Sequence, residues 1–183
     1  MDFIKEPMAI ENRSMELIAP HLAELGLDEA ATKVYSRLIH ASGDVGYAPI
    51  IRVHPEAIAV AMDALRKGAH IYTDVEMVRT GINKKKLASF GGEVHCLVAD
   101  PDVAVRAKQE GITRSMIAMR QFGKDLNGSI VAIGNAPTAL FEVLRMVREE
   151  GIRPACIVGI PVGFVGAAES KSLRRTASFP ISR

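Results

Sequence analysis

The sequence has too few cysteines for several classes of protein. Its 183 residues include only two, Cys96 and Cys156, and neither lies in a CxxC motif. A disulfide scaffold and a thiolate metal site are therefore not expected. Because each cysteine sits within an apolar run, we interpret both as buried strand residues rather than nucleophiles.

Long hydrophobic runs are also missing. The longest, such as 130–133 and 155–165, are much shorter than the roughly 20 residues that a membrane span requires, and glycine and proline interrupt the second. The N-terminal residues lack the charged-then-apolar order of a secretory signal. We therefore expect no membrane partner and a cytoplasmic location.

An excess of charge of one sign is absent as well. The chain has 23 Lys+Arg and 21 Asp+Glu, a formal net charge of +2. This balance argues against a nucleic-acid partner held by bulk electrostatics. The length and the ordinary globular composition predict a single domain over residues 1–183.

Apolar residues recur at helical spacing in six segments and form short strand-like runs in five others. The predicted helices are Met8–Leu25, Glu29–Ile39, Pro55–Leu65, Asp102–Lys108, Thr113–Phe122 and Pro137–Glu150. The predicted strands are Ile50–Val53, His70–Asp74, Glu93–Val98, Ser129–Ile133 and Ala155–Ile160. Continuously apolar strands that alternate with helices are typical of a parallel sheet covered on both faces. The sequence thus predicts an α/β fold, a three-layer α/β/α sandwich with a mostly parallel central sheet.

In such a sheet, ligands bind beyond the carboxyl ends of the strands. The segments to examine are therefore Thr73–Met77, Gly134–Thr138 and Ile160–Ser170. The glycines from Gly159 to Gly166 fit neither the GxGxxG nor the GxxxxGK[ST] pattern of nucleotide-binding loops. Small residues and free N–H groups there would suit a flat or carboxylate-bearing ligand, but a tight strand-to-helix turn has the same composition. Asn135 is placed either to offer its amide to a ligand or to cap a helix.

Several polar side chains are candidates for binding or acid–base chemistry. The Arg-Ser pairs at 13–14 and 114–115 suit a carboxylate or phosphate, although such pairs also occur as plain surface residues. The carboxylates of Asp74 and Glu76 would point to different faces of a helix, so we do not expect an acid–base dyad.

The histidines show no metal-binding pattern. None of the five lies in HExxH or another close ligand spacing, so the sequence predicts no metal site. His40 ends a predicted helix and precedes a turn of small residues, Ala41–Asp44. This context suits a proton donor that faces a cleft, because cations are favoured at helix C-termini, but on the sequence pattern alone a simple C-capping histidine is the favoured interpretation.

Taken together, these segments resemble the precorrin-8X methylmutase family of corrin biosynthesis. The matching segments, in family order, are Ile10–Ser14, Ile39–Asp44, Tyr72–Val78 with Gly81-Ile82, Thr113–Ser115, Gly128–Phe141 and Pro161–Lys171. The two longest, GSIVAIGNAPTALF and PVGFVGAAESK, are the most specific.

The resemblance implies a homodimeric isomerase without cofactor or metal. Its substrate would be a tetrapyrrole, in which a 1,5-sigmatropic shift moves a methyl group from ring carbon eleven to ring carbon twelve. Precorrin-8X would become hydrogenobyrinate, or cobalt-precorrin-8 would become cobyrinate. His40 matches the catalytic histidine that protonates the macrocycle. The residues predicted to bind substrate are Arg13, Ser14, Asp74, Arg114, Ser115, Asn135, Gly163 and Gly166.

Members of the family usually continue beyond the position of Lys171 through a strand, a basic glycine-rich segment and a helix, whereas this chain ends at Arg183. We therefore expect a chain truncated after about residue 171. A tetrapyrrole-binding homologue with little or no turnover is the alternative function. A nucleotide-using α/β enzyme is a third, which the glycine spacing disfavours.

Overall fold

The computed structural model describes residues 4–163 and 165–166. The contacts divide the chain into two compact units, one ending at Ile58 and the other beginning at Ala59. The expected single domain stays a prediction.

The first unit is a pair of helices followed by a short turn. Helix α1 is Pro7–Ala23, helix α2 is Glu29–Ser42, and a 3-10 turn covers Val45–Tyr47. Asp28 caps the start of α2, and Gly43 ends it with a left-handed φ of 68°. The two helices share an apolar cluster of Ile18, Leu22, Tyr35, Ile39 and Ala48.

The predicted strand Ile50–Val53 is wrong. The structure has a turn and an extended segment there, without a neighbouring strand among the described residues. Ile51 and Val53 pack against the apolar cluster of the first unit. The Tyr35 hydroxyl donates to the Ile51 carbonyl oxygen at 3.3 Å, and Arg52 donates to that of Pro49 at 2.6 Å. Side chains therefore satisfy backbone groups that a sheet would otherwise pair.

The second unit contains a parallel sheet of four strands. These are β1 (Ile71–Thr73), β2 (Val94–Cys96), β3 (Ile130–Ile133) and β4 (Cys156–Gly159). They lie in the order β2-β1-β3-β4, and every neighbouring pair is parallel. All four fall within predicted strands, so the α/β fold and its parallel sheet are confirmed.

Helices connect the strands as crossovers. The helices of this part of the chain are α3 (Ala57–Arg66), α4 (Glu76–Gly81), α5 (Lys84–Ala88), α6 (Pro101–Glu110), α7 (Arg114–Phe122) and α8 (Pro137–Glu149). A 3-10 turn, Gly123–Leu126, follows α7. The two short helices α4 and α5, between β1 and β2, were not predicted. In the part of the chain that the structure describes, no helix has both the length and the apolar character needed to cross a membrane.

The two faces of the sheet are covered by different helices. On one face, Tyr72, Val131 and Ile133 pack with residues of α7 and α8 such as Met119 and Leu140. On the other face, the alternate strand residues Ile71, Ile130 and Ala132 pack with Leu65 of α3 and Leu87 of α5. The second unit is therefore a three-layer sandwich, as predicted.

Candidate functional site at the carboxyl edge of the sheet

The strand order creates a switch point between β1 and β3. The chain leaves β1 towards β2 on one side and returns to place β3 on the other. The loops that follow two such strands diverge, which opens a crevice at the carboxyl edge of the sheet. Asp74 follows β1 here, and Gly134–Ala136 follow β3.

The buried carboxylate of Asp74 joins these two loops. It accepts hydrogen bonds from the backbone nitrogens of Gly134 at 3.0 Å, Asn135 at 2.9 Å and Ala136 at 2.6 Å. Ala136 is the N-cap residue of α8 and has no side chain that could accept a hydrogen bond. Asp74 therefore caps α8 from another strand and places a negative charge at the positive end of the helix.

This arrangement separates Asp74 from Glu76. Both Asp74 carboxylate oxygens bind the loop, whereas Glu76 pairs with Arg79 at 2.6 Å. The two carboxylates thus have different partners, which agrees with the expectation that they form no dyad. The backbone N–H groups that a nucleotide phosphate would use at this loop already bind Asp74. Direct contact between Asp74 and substrate stays a prediction.

The start of helix α7 adjoins the same loop. Thr113 caps α7 by accepting from the Met116 nitrogen at 3.3 Å, and its hydroxyl lies 2.9 Å from that of Thr138 in α8. This contact brings Arg114 and Ser115 to the N-terminus of α8. Ser115 is buried, whereas Arg114 is exposed and has no ion pair with the described residues of its unit. Its guanidinium is available to a ligand carboxylate.

A backbone hydrogen bond also joins the glycine segment after β4 to the loop that carries Asn135. The Val162 nitrogen donates to the Asn135 carbonyl oxygen at 3.0 Å, while the side chain of Asn135 is exposed. Gly163 and Gly166 have φ angles of 126° and 78°, which residues other than glycine rarely adopt. A Cβ at Gly166 would also lie 3.1 Å from the Phe141 ring. The motif residues at 164 and 167–171 lie outside the described residues.

The other predicted site residues belong to the first unit. On α1, Arg13 pairs with Glu16 at 2.9 Å, and the Ser14 hydroxyl donates to the Ile10 carbonyl oxygen at 2.9 Å. His40 is exposed in the last turn of α2. The helix ends at Ser42, beyond the predicted Ile39, so His40 lies within its final turn and not after it.

The two cysteines lie on strands, as expected, and both are half-buried. Burial raises the pKa of the Cys96 thiol, which favours the protonated form over the nucleophilic thiolate. This agrees with the interpretation of Cys96 as a strand residue.

Sequence reasoning did not foresee the Thr113–Thr138 contact or the link from Val162 to Asn135. The signal for Thr113 was its position directly before a predicted helix, where threonine is a common N-cap. Its contact with Thr138 depends on how α7 and α8 pack.

An open parallel sheet with polar and glycine residues gathered at its carboxyl edge is typical of α/β proteins that bind a ligand at the switch point. The sequence profile of the family described as precorrin-8X methylmutase matches residues 9–182. The chain belongs to the precorrin-8X methylmutase family, whose members are isomerases that move a methyl group within one molecule.

Individual relatives agree with this assignment. The chain is 42% identical to a cobalt-precorrin-8 methylmutase of Leptospira interrogans over 88% of this chain and 74% of that protein. It is 39% identical to a precorrin-8X methylmutase of Sinorhizobium sp, over 98% and 85% of the two chains. Its structure is similar to the crystal structure of precorrin-8X methylmutase from Thermus thermophilus, with a TM-score of 0.84 and 35% identity, over 94% and 84% of the two chains.

Proposed function

We propose that this chain catalyses the 1,5-sigmatropic methyl shift from ring carbon eleven to ring carbon twelve of a tetrapyrrole. The substrate is precorrin-8X, which becomes hydrogenobyrinate, or cobalt-precorrin-8, which becomes cobyrinate. The main support is the family match, which runs through both units from residue 9 to residue 182. This range also supports the prediction that the two units act as one functional domain.

The carboxyl edge of the sheet supplies groups that suit a pigment rimmed with carboxylates. Arg114 is exposed and offers its guanidinium for a charge-assisted hydrogen bond. Asn135 offers an exposed amide, and the glycines at 163 and 166 let a ligand approach the backbone; the buried Ser115 lies beside Arg114. Asp74 holds the Asn135 loop in place before the ligand arrives, which reduces the entropy lost on binding.

His40 is the proposed proton donor. Its imidazole is exposed in the last turn of α2. Substrate and product are isomers, so a proton delivered to the macrocycle is balanced by one released from it. Arg13 and Ser14 are proposed to bind substrate carboxylates, for which Arg13 would exchange its exposed pair with Glu16.

We also propose that the chain acts in the cytoplasm as a homodimer. Apolar side chains are exposed along β4 and the segment after it: Val158, Ile160, Val162 and Val165, the last of them 90% exposed. Several exposed apolar side chains within one short segment are typical of an interface. Sedimentation equilibrium of the full chain should therefore give the mass of a dimer, and Ile160→Lys should lower it to that of a monomer.

The experiment that tests the function compares two histidines at equivalent places in neighbouring helices. His40 lies in the last turn of α2, and the exposed His21 lies in the last turn of α1. Conversion of precorrin-8X is followed by absorbance, and pigment binding by gel filtration. We expect His40→Asn to retain binding but to lose about 10²–10⁴-fold in kcat. His21→Asn should match the wild type.

The outcomes separate the candidate functions. Normal turnover by His40→Asn would remove His40 from the mechanism. Pigment binding by the wild type without conversion of either substrate would instead favour the tetrapyrrole-binding alternative.

A further inference from the structure

Three metal-ligating side chains meet at the amino edge of the sheet, opposite the site described above. His70 directly precedes β1, Glu93 directly precedes β2, and His95 lies within β2. One ligand atom from each side chain lies within 4.8 Å of the ligand atoms of the other two.

The register of the strands produces this cluster. Ile71 pairs with Val94 and Tyr72 with His95, and the Ile71 nitrogen donates to the Glu93 carbonyl oxygen at 2.8 Å. His70 is therefore level with Glu93. Because alternate strand residues share a face, His70, Glu93 and His95 project from the same side as Tyr72. The two histidines are 25 residues apart, which is why no local spacing motif revealed them.

The facing nitrogens of the two imidazoles are about as far apart as two nitrogen ligands of one metal ion. His70 Nδ1 lies 3.1 Å from His95 Nε2. Two nitrogens bound to zinc at about 2.0–2.1 Å in tetrahedral geometry are about 3.3 Å apart. Binding therefore changes the separation of the two nitrogens little: the hydrogen-bonded proton moves to the other nitrogen of its own ring, and both lone pairs turn towards the ion.

The surrounding aromatic side chain fixes one of the rings. His95 stacks on Tyr72, with ring centroids 4.9 Å apart and an interplanar angle of 23°. Tyr72 is itself buried in the core against Phe122. A ligand held by packing in this way loses little rotational freedom when the metal binds.

The site is also accessible and carries suitable charge. Both histidines are half-buried and Glu93 is exposed, and β2, which carries His95 and directly follows Glu93, is a strand at the edge of the sheet. Two neutral imidazoles and one carboxylate form a donor set that zinc uses in proteins, with the remaining position open to water.

We propose that His70, Glu93 and His95 bind a zinc ion at the amino edge of the sheet. The ion links β1 to β2 and is separate from the proposed tetrapyrrole site at the carboxyl edge. Because zinc would bind the folded chain through residues 25 apart, it stabilises the folded state in proportion to the logarithm of its free concentration.

Zinc titration of the chelator-treated full chain by isothermal calorimetry tests this proposal. We expect one zinc ion per chain and a Tm that rises with zinc concentration. Removing a group that only hydrogen-bonds to a metal ligand costs about 10–100-fold in metal affinity. Because Glu93 would bind the ion directly, Glu93→Gln should weaken binding by at least about 10-fold. Glu93→Gln alters an exposed side chain and keeps its backbone hydrogen bond, so its fold is preserved. His95→Gln should remove binding.

Two controls locate the ion. His21→Gln removes an exposed histidine of the other unit and should leave zinc affinity unchanged. Cys96→Ser changes the next residue of β2, on the opposite face of the sheet, and should also have no effect.

The proposal is overturned if the wild type binds no zinc or if Glu93→Gln and His95→Gln bind it as the wild type does. The histidines would then form only a hydrogen-bonded pair. Loss of binding in Cys96→Ser would overturn it too, because it would place the ion on the other face. The titration needs no tetrapyrrole, so its result is independent of the proposed activity.

Discussion

The Asp74 carboxylate accepts a hydrogen bond from the backbone nitrogen of Ala136, 2.6 Å away and 62 residues further along the chain. A side chain at the end of β1 thus caps the helix that follows β3. This one contact joins the central strands of the sheet to the loop that carries Asn135.

Asp74→Asn should lower the free energy of unfolding by about 2–4 kcal/mol, because the new amide group would face backbone N–H groups that need an acceptor. Urea unfolding at neutral pH measures this loss. Asp102→Asn is the control, since Asp102 is exposed in the first turn of α6. It should change stability by less than about 0.5 kcal/mol. Equal effects of the two substitutions would contradict the capping role.

The glycine at position 134 lies directly against the side chain of Val78. A Cβ at Gly134 would be 2.5 Å from Cγ2 of the half-buried Val78, so that side chain would have to shift. We expect Gly134→Ala to destabilise the protein by about 1–3 kcal/mol. In a Val78→Ala background the same substitution should cost much less, which a double-mutant cycle measures. An unchanged cost in that background would show that the clash is not the cause.

Glu142 on α8 is 1% exposed and accepts hydrogen bonds from Arg120 Nε at 2.8 Å and Arg145 Nε at 2.9 Å. Burial alone would raise the pKa of Glu142, but the hydrogen bonds and charges of the two arginines outweigh it and lower the pKa below 4.5. The carboxylate therefore stabilises the folded state above that pH. This stabilisation is lost as the pH falls through the lowered pKa.

Glu142→Gln should accordingly cost about 2–4 kcal/mol at pH 7, where it leaves two arginines without their buried partner. The difference from the wild type should shrink in acid. Urea unfolding at a series of pH values between about 3 and about 7 would reveal this change. Glu149→Gln on the same helix removes only an exposed partner of Arg145 and should have little effect at any pH. A pH-independent loss in Glu142→Gln would contradict the lowered pKa.

Arg114→Ala should weaken pigment binding by about 10–100-fold, the effect of one charge-assisted hydrogen bond. An absorbance titration with hydrogenobyrinate gives the Kd. Arg148→Ala removes an exposed arginine near the other end of α8 and serves as the control. If both variants bind alike, the guanidinium of Arg114 does not contact the ligand.

Much of the sheet could be predicted because its strands are short runs rich in apolar and β-branched residues, bounded by glycine, proline or polar residues. Helices α4 and α5 were missed, since each is less than two turns long and presents too few apolar residues for a periodic pattern. The strand expected at Ile50–Val53 failed because Ile51 and Val53 pack, partly buried, against the apolar cluster of the first unit, and no partner strand lies beside them among the described residues.

The site was predictable to the extent that it follows from fold class. Parallel strands place their carboxyl ends together, so the loops at Asp74 and Asn135 were expected at one edge. The capping role of Asp74 and the grouping of His70 with His95 depend on strand register between distant residues. Neither contact can be recognised from the spacing of residues along the sequence.

The order of the strands also sets a sequence of events for a chain emerging from the ribosome. Strand β1 can pair with β2 first, but its second neighbour, β3, is made only after α6 and α7. Until Ala136 has been synthesised, the Asp74 carboxylate lacks the backbone donors that it binds in the folded protein. The helical pair α1 and α2, whose contacts are local, can form much earlier. The loop that carries Asn135 is therefore among the last parts of this unit to take shape during translation.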